Sequence, residues 1–438
     1  VALVVERELD LPVAQVVVAD ARAAMAPLAA RFWGDPTAEL RVVGVTGTNG
    51  KTTTAFLIRE VLEAAGVRCG LLGTVRQVVG GVEEEVERTT PEAIDLQATF
   101  RRMLEAGDRA CAMEVSSHAL VLHRVDAVHF ELALFTNLTQ DHLDFHGDME
   151  DYFRSKRKLF EMGPKVSIVN VDDPYGKRLA GELAGCATFS AEGAIADFIA
   201  RDVSFDTTGA QFAANYPPTG RKRPLFGRFR PVGGGVAVRT GLPGHFNVAN
   251  ALGAFAASVA LGVSPEVVAE GLARAERVPG RFEPVDEGQG FAVLVDYAHT
   301  PDSLENVLRA ARRLTDGRLI TVFGAGGDRD RDKRPKMGRA GAGLSDLAIV
   351  TSDNPRSEDP DAIVAEVVAG IENGAAFEVE PDRRAAIALA LGRAAPGDTV
   401  VIAGKGHEQG QEFEGGRKVP FDDREVAREE LRRLGSRA

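Results

Sequence analysis

Apolar residues along this chain recur in two alternating arrangements. Short continuous runs such as LRVVGV at 40–45 are followed by longer stretches in which apolar positions return every three or four residues. The first pattern predicts strands covered on both faces, and the second predicts amphipathic helices. From about residue 39 to 276 the runs are RVVGVTG, VRCGLLGTV, ACAMEV, ELALFTNL and KVSIVNVD, with helices predicted over 55–62, 91–107 and 149–161. Alternation of this kind indicates a parallel sheet with helices on both faces. Residues 1–38 hold two short strands and a helix, too little to bury a core alone. Residues 201–240 are rich in Gly, Pro and Arg and read as hairpins and loops, before an Ala-rich helix at 247–262. Pro279-Gly280-Arg281 reads as a linker, with Pro279-Gly280 a candidate hinge. A second set then begins: FAVLVDYAH, a helix over 303–314, RLITVFGAGG, LAIVTSDNP, a helix over 361–371, and DTVVIAGKG. Its ligand-facing loops are expected at the carboxyl ends of the strands. The chain therefore reads as α/β in three segments, 1–38, 39–277 and 278–438, without internal repeats.

Composition narrows the class. A chain of 438 residues, 44% hydrophobic and 26% charged, is an ordinary globular protein with room for two or three cores. A net charge of -12 argues against nucleic acid or an anionic membrane surface as the main partner, while leaving room for a local basic pocket. Cys69, Cys111 and Cys186 are odd in number and scattered, which suits a reducing cytoplasm and shows no metal-ligand spacing. No apolar run approaches the ~18 residues of a membrane span, and no signal-peptide layout opens the chain. A cytoplasmic protein without stable membrane association is expected. The chain starts at Val1 inside an apolar run and reads as a fragment lacking upstream sequence.

Candidate chemistry begins at GVTGTNGKTTT, 44–54, between a predicted strand and a predicted helix. Gly47 and Gly50 let the backbone N–H groups turn inward around a phosphate, where a helix N-terminus already favours negative charge. Lys51 would neutralise β/γ-phosphate oxygens and the Thr52 hydroxyl would ligate Mg²⁺. Glu114 ends the run ACAMEV one βαβ unit later, either as an acidic group linked to that Mg²⁺ or as a solvated strand-end charge. His142 reads as a metal ligand or as a loop hydrogen-bonding group. Lys156 shares one helical face with Phe153 and Phe160, whereas Arg154 and Lys158 point elsewhere. It either snorkels its ammonium to water or stands desolvated as a neutral amine able to take up CO₂ as a carbamate. In the second set, Arg329 and Arg356 follow strand ends and suit bidentate capture of a carboxylate, and Glu408 in GKGHE suits an ammonium. Together they make an amino-acid-shaped pocket.

These motifs, with AMEVSSHAL, TNLTQDHLDFHGDMEDYFRSK, GHFNVANALGA, DYAHTPDS, FGAGGDRDRDKRPKMG and DNPRSEDP, occur in one order along the chain. In that combination the sequence resembles the Mur ligases of peptidoglycan synthesis, in particular the members that add diaminopimelate. The resemblance implies a uridine-binding domain represented by its tail at 1–38, a central P-loop ATPase domain of mostly parallel sheet at 39–277, and a Rossmann-like amino-acid domain at 278–438. It implies ATP as co-substrate bound by Gly47, Thr48, Asn49, Gly50, Lys51, Thr52 and Thr53. Asn247, Asn250, Asp296, Tyr297 and His299 are expected to face the nucleotide as well. Two Mg²⁺ ions are implied, one on Thr52 and Glu114 and one on Glu114, His142 and a carbamate of Lys156. Thr89, Thr90, Ser116 and Arg124 are expected at UDP-MurNAc-L-Ala-D-Glu. Arg329, Asp353, Asn354, Pro355, Arg356, Gly404 and Glu408 are expected at meso-diaminopimelate, with Arg356 gripping the carboxylate that lysine lacks.

The sequence departs from the family at Arg88, where relatives often have Asn, and at Leu122, where some have Gln; both bear on the UDP-sugar subsite. The opening part of the family's first domain, which carries much of the uridine pocket, is absent. The expected reaction is an amide ligation through an acyl phosphate, with Lys51, Glu114, His142 and Lys156 as the catalytic group, in a monomer that binds small molecules and no nucleic acid. The alternatives are a lysine-adding ligase, a folylpolyglutamate synthase-like enzyme and a non-catalytic P-loop module. The Asp-Asn-Pro-Arg motif and Thr89-Thr90 disfavour the first two, and the second-set arginines would have no purpose in the third.

Overall fold

Two sheets organise the chain, and the period-2 alternation of their strands explains how each is covered on both faces. The computed structural model describes residues 2–86, 88–206, 208–217 and 234–435. In the strand Arg41–Thr46, Val43 and Val45 point into one core and Val42 into another. The first core is closed by the helices Lys51–Ala64, His245–Ala260 and Pro265–Arg274, and the second by Ala93–Glu105 and Met149–Glu161. Successive side chains of a strand face opposite ways, so a continuous apolar run is what such a doubly covered strand requires.

Among the described residues the first sheet has eleven strands. At its centre Cys69–Leu72, Ala110–Glu114, Arg41–Thr46, Phe130–Phe135, Val166–Asn170, Ala187–Ser190 and Phe198–Asp206 lie side by side and parallel. Both margins turn antiparallel, through Gln77–Val79 and Val82–Glu84 on one side and Gly209–Asn215 and Gly235–Thr240 on the other. The parallel core was expected; the margins at 77–84 were not. They are three residues each, too short to show a run of their own; Val78 and Val79 are buried, while Val82–Glu84 lies at the exposed edge. Of the stretch 201–240 read as hairpins and loops, 218–233 lies outside the described residues; the flanking strands do form a hairpin-like pair.

The second sheet orders Glu283–Pro284, Ala292–Asp296, Thr399–Ala403, Leu319–Phe323, Leu347–Val350 and Phe377–Val379, parallel except at its first pair. Leu319 and Phe323 face one core with Leu304 and Leu308 of the helix Pro301–Arg313. Ile320 and Val322 face the other with Ile387 of Arg383–Arg393 and Val426 of Asp423–Gly435. FGAGGDRDRDKRPKMG is a turn only as far as Asp332, because a helix runs Lys333–Leu344. Its glycines lower its helix propensity, so packing sustains it, with Met337 and Ala340 buried among the helices around it. Residues Ala2–Val5 and Ala14–Val17 form a separate two-stranded parallel pair, followed by the helix Ala21–Phe32. No helix among the described residues is long and apolar enough to cross a membrane.

Candidate active site

The carboxyl ends of the central parallel strands open into a cavity of about 660 Å³, closed on its far side by the strand end at Asp296 and the helix Pro301–Arg313. Ligands of open α/β sheets bind at such strand ends. Thr48, Asn49, Gly50, Lys51, Thr52 and Thr53 form its floor. Gly50 holds φ of 83°, and a side chain there would run into Asn250, so only glycine fits. Asn49 N donates to Asn137 Oδ1 at 2.9 Å, and Thr136 Oγ1 donates to Asn49 O at 2.6 Å, which fixes the loop to the next strand end. Lys51 Nζ donates to the carbonyls of Gly47 and Thr48 at 3.0 and 2.8 Å, and burial lowers its pKa.

Glu114 is 1% exposed and still lines the cavity. Its carboxylate accepts from Thr74 N at 2.7 Å and Thr74 Oγ1 at 3.2 Å. The four residues expected at the UDP-linked substrate gather around the same strand end. Thr89 Oγ1 lies 3.1 Å from Thr74 Oγ1, and Thr90 Oγ1 donates to Glu114 O at 2.9 Å. Ser116 N donates to Thr90 Oγ1 at 3.2 Å, and Arg124 Nη1 donates to Thr90 O at 3.2 Å. Arg88 and Arg124 both pair with Glu92, and the Leu122 carbonyl accepts from Arg22.

Lys156 does not snorkel. It is 1% exposed on the helix Met149–Glu161; its Nζ donates to Gly47 O at 2.8 Å and stands 4.6 Å from the Tyr152 ring centre. Burial, then the nearby Lys51 charge, pushes its pKa well below the usual lysine value, which favours the neutral amine. His142 adopts φ of 55°, a left-handed conformation uncommon outside glycine, with its Nε2 3.3 Å from Asp141 and its ring edge-on to His118 at 5.0 Å. Burial pushes the His142 pKa down to about 3, so its ring is neutral at pH 7 with a lone pair to offer. Among the described residues no group of three or more His, Cys, Asp and Glu is arranged to hold a metal by itself. The Thr52 hydroxyl and Glu114 carboxylate, both on the cavity wall, are hard oxygen donors suited to Mg²⁺.

Asp296 and His299 reach the cavity from the second sheet. Asp296 accepts from Phe282 N at 2.6 Å, and burial raises its pKa to about 6. His299 Nε2 lies 3.8 Å from Asp141, and its Nδ1 faces Tyr297 O at 2.8 Å. Asn250 is on the wall, but Asn247 is not. It lies 1% exposed beneath Asn250, accepting from its Nδ2 at 3.1 Å and donating to Pro243 O at 2.8 Å, so it orients Asn250 from behind.

The residues expected at the amino acid do not line this cavity; they meet beside it, over the carboxyl ends of the second sheet. Arg329 and Arg356 both border Gly326. Arg356, at φ of 52°, donates to Gly327 O at 2.8 Å and to Glu412 Oε2 at 3.1 Å, while Arg329 rests on Asp328 O at 2.9 Å. Asn354 O and Pro355 O accept from Gly327 N and Glu358 N, shaping the turn that carries Arg356. Gly404, at φ of 124°, passes so close to Asp353 Oδ2 that a Cβ would stand 2.8 Å from it. Asn354 Nδ2 donates to Glu408 Oε2 at 2.9 Å.

Tyr297 joins the two places, with its hydroxyl 3.5 Å from Glu408 Oε1 and the Arg281 guanidinium 4.5 Å over its ring. Arg281 is the residue that the sequence concealed inside a linker: its Nη2 donates to Thr52 Oγ1 at 3.1 Å, and it lines the cavity. A lone arginine after Pro-Gly looks like a turn charge, and nothing in the local sequence sets it apart; the structure puts it two residues before the short strand Glu283–Pro284, which pairs with Ala292–Asp296. Asp302 was also missed; it lines the cavity and accepts from Asn49 Nδ2 at 2.9 Å.

Comparison with known proteins adds sequence and fold relatives. Residues 45–258 match the Mur ligase middle domain, and 280–406 match the Mur ligase, glutamate ligase domain. A Streptomyces coelicolor protein named UDP-N-acetylmuramoyl-L-alanyl-D-glutamate--2,6-diaminopimelate ligase is 48% identical over 436 residues, covering 98% of this chain and 83% of the relative. A Geobacillus thermodenitrificans protein of the same name is 45% identical over 437 residues, covering 98% and 86%. A solved structure under that name aligns with a TM-score of 0.66 at 32% identity, over 99% of this chain and 87% of that one. The fold alone is shared with Mycobacterium tuberculosis folylpolyglutamate synthase, at TM-score 0.68 and 18% identity over 87% of this chain and 92% of that one.

Proposed function

Since the chain belongs to the Mur ligase family, we propose that it is an ATP-dependent ligase that adds meso-2,6-diaminopimelate to the D-glutamate side chain of UDP-N-acetylmuramoyl-L-alanyl-D-glutamate. The reading places it in the synthesis of peptidoglycan precursors. Its three parts are the tail of a UDP-binding domain at 1–38, an ATPase domain at 39–277 and an amino-acid domain at 278–438. The supporting observation is the meeting of two sites: a phosphate loop with Glu114 on one wall of a cavity, and a pocket of paired arginines and Glu408 one tyrosine away.

The D-glutamate carboxylate attacks the γ-phosphorus of ATP, and ADP leaves. The diaminopimelate amine then attacks the acyl phosphate, and the tetrahedral intermediate expels inorganic phosphate. Two anions must first be brought together, so positive groups at the loop do most of the work. Lys51 and Arg281 face the triphosphate, with the N-terminus of the helix Lys51–Ala64 adding its partial positive charge. Thr52 and Glu114 would hold one Mg²⁺, and Glu114, His142 and a carbamate of Lys156 would hold a second, which would supply further charge neutralisation. Lys156 serves that role because its desolvated amine is free to react with CO₂, losing one proton and gaining an anionic oxygen pair. Asp296, Asn250 and His299 border the nucleotide. Arg329, Arg356 and Glu408 hold one amino-acid end of diaminopimelate, leaving the amine of the other end to reach the acyl carbon.

The test is ADP release. It should require both the UDP-linked dipeptide and diaminopimelate together; equal turnover with L-lysine sinks the amino-acid assignment, and release without either partner sinks the ligase.

A further inference from the structure

Within the amino-acid pocket lies a lysine that the reading above leaves without a task. Lys405, in the GKGHE turn after the strand Thr399–Ala403, has a side chain that is 0% exposed. Its Nζ donates to Asn354 Oδ1 at 2.8 Å and to Glu408 Oε2 at 2.9 Å, and lies 3.6 Å from Asp353 Oδ1. All three partners belong to the proposed diaminopimelate pocket. Buried as it is, this ammonium cannot touch a ligand, so whatever it does passes through them.

An ammonium has three donors and no acceptor, and the consequence falls first on Asn354. Asn354 Oδ1 accepts from Lys405 Nζ and from Glu412 N at 3.0 Å, so both its lone pairs face donors. The amide nitrogen is thereby turned the other way and donates to Glu408 Oε2. Flipping the amide would set N–H groups against an ammonium and a backbone N–H, and would set a carbonyl against a carboxylate. Glu408 is ordered by the same contacts. Its Oε2 already accepts from Lys405 and Asn354, leaving Oε1, on the Tyr297 side, as the oxygen open to a ligand ammonium. The charges then sum in an orderly way: Asp353 and Glu408 are answered by one buried cation. Arg383, also buried, is committed to Asp423 at 2.7 Å while bridging the carbonyls of Ser352 and Ala403. Burial works against ionisation of Asp353, yet the Lys405 and Arg383 charges hold its carboxyl below the ordinary range.

We infer that Lys405 is a specificity-determining positioning residue, which fixes the Asn354 amide and the free Glu408 oxygen so that the pocket accepts a zwitterionic amino-acid end. The inference rests on the diaminopimelate pocket proposed above. Without Lys405, Asp353 and Glu408 lose the cation they share, while Arg383 stays committed to Asp423, and the amide is free to turn. Diaminopimelate, with its additional carboxylate, is then disfavoured more than L-lysine, which lacks it.

The experiment is a double-variant cycle in the full chain, with UDP-MurNAc-L-Ala-D-Glu, ATP and either diaminopimelate or L-lysine. Wild-type turnover with diaminopimelate is read first, and its absence fails the pocket assignment itself rather than the role of Lys405. In Lys405→Met the KM for diaminopimelate should rise about tenfold or more, with the KM for ATP changed less than about threefold. The preference over L-lysine should narrow. Adding Asn354→Ala to Lys405→Met should worsen the KM by less than about threefold, because the two act as one unit. Lys405→Gln, which still donates to Asn354 but carries no charge, should fall between wild type and Lys405→Met, and it serves if the Met variant does not fold. A parallel rise in the KM for ATP, or effects of Lys405 and Asn354 that multiply in full, overturns the inference.

Discussion

The two halves of the site treat buried basic side chains in opposite ways. Around the phosphate loop, Lys51, Lys156 and Arg281 rest on carbonyls, a hydroxyl and aromatic rings; among the described residues none of them forms an ion pair with a carboxylate. The Arg281 Nε is buried with no hydrogen-bond partner among the described residues. Beside the second sheet most cations already have an anion, Lys405 with Glu408, Arg356 with Glu412, Arg334 with Glu358 and Glu366, and Arg383 with Asp423, while Arg329 rests on the Asp328 carbonyl. Unanswered positive charge in a low-dielectric cleft is costly to the free protein, and an arriving polyanion removes that cost. Paired charge suits a ligand that is itself zwitterionic, because exchange of partners leaves the sum unchanged. The contrast teaches that burial alone says little about a lysine; what faces it decides whether it is a neutral amine or a fixed ammonium.

The largest effect expected from breaking this contrast is at Lys156. Lys156→Ala should lower kcat on the order of 10²–10³-fold, the range for losing a group that stabilises charge in the transition state. Added short carboxylates should restore part of it if a carbamate is the working species, and unchanged kcat would remove Lys156 from the mechanism. Next is Arg356→Ala on the paired side. Losing one partner of a half-buried charge pair should raise the KM for diaminopimelate about 10–100-fold, with ATP binding intact. Competition between diaminopimelate and L-lysine would show whether discrimination goes with it.

Asp296, between the two halves, gives a smaller effect with a definite sign. Its folded pKa, about 6, stands above the unfolded value of 3.8, so the stability it contributes is full below pH 3.8 and is lost as pH rises through about 6. Asp296→Asn should therefore be more stable than wild type above pH 6, on the order of 3 kcal/mol, with the difference gone near pH 4. Denaturant midpoints at the two pH values check this, and a difference independent of pH would contradict it. The smallest effect belongs to Lys336, an exposed residue that crosses between the halves to donate to Gln140 Oε1 at 2.5 Å. Lys336→Ala should leave the KM for ATP within about twofold. A larger shift would mean that contacts on the rim hold the two halves together.

Much of this was legible beforehand for identifiable reasons. The helix Met149–Glu161 was placed to the residue because its apolar period is regular and Asp148 caps it by accepting from Asp151 N. The placement of the glycine turn at 47–50 and of Glu114 at a strand end was legible because strand, turn and helix follow one another locally. The helix Lys333–Leu344 escaped because glycine and arginine hide its apolar face. Asn247 and Asn250, three residues apart on one helix, looked equivalent; the height of the helix against the loop puts one on the wall and the other beneath it. Arg281 escaped because nothing near it in the chain predicts Thr52 as its neighbour.

The sequence by itself determined the elements, their alternation and the kinds of chemical group at the strand ends, since each follows from periodicity and turn chemistry within a dozen or so residues. Only the tertiary structure decided which charges meet. Lys405 finds Asn354 at a separation of 51 residues, Lys156 finds Gly47 at 109, and Arg281 finds Thr52 at 229. Local pattern fixes whether a side chain is buried, but the protonation and orientation of a buried polar group depend on the partner brought to it, and that partner comes from a distant strand end.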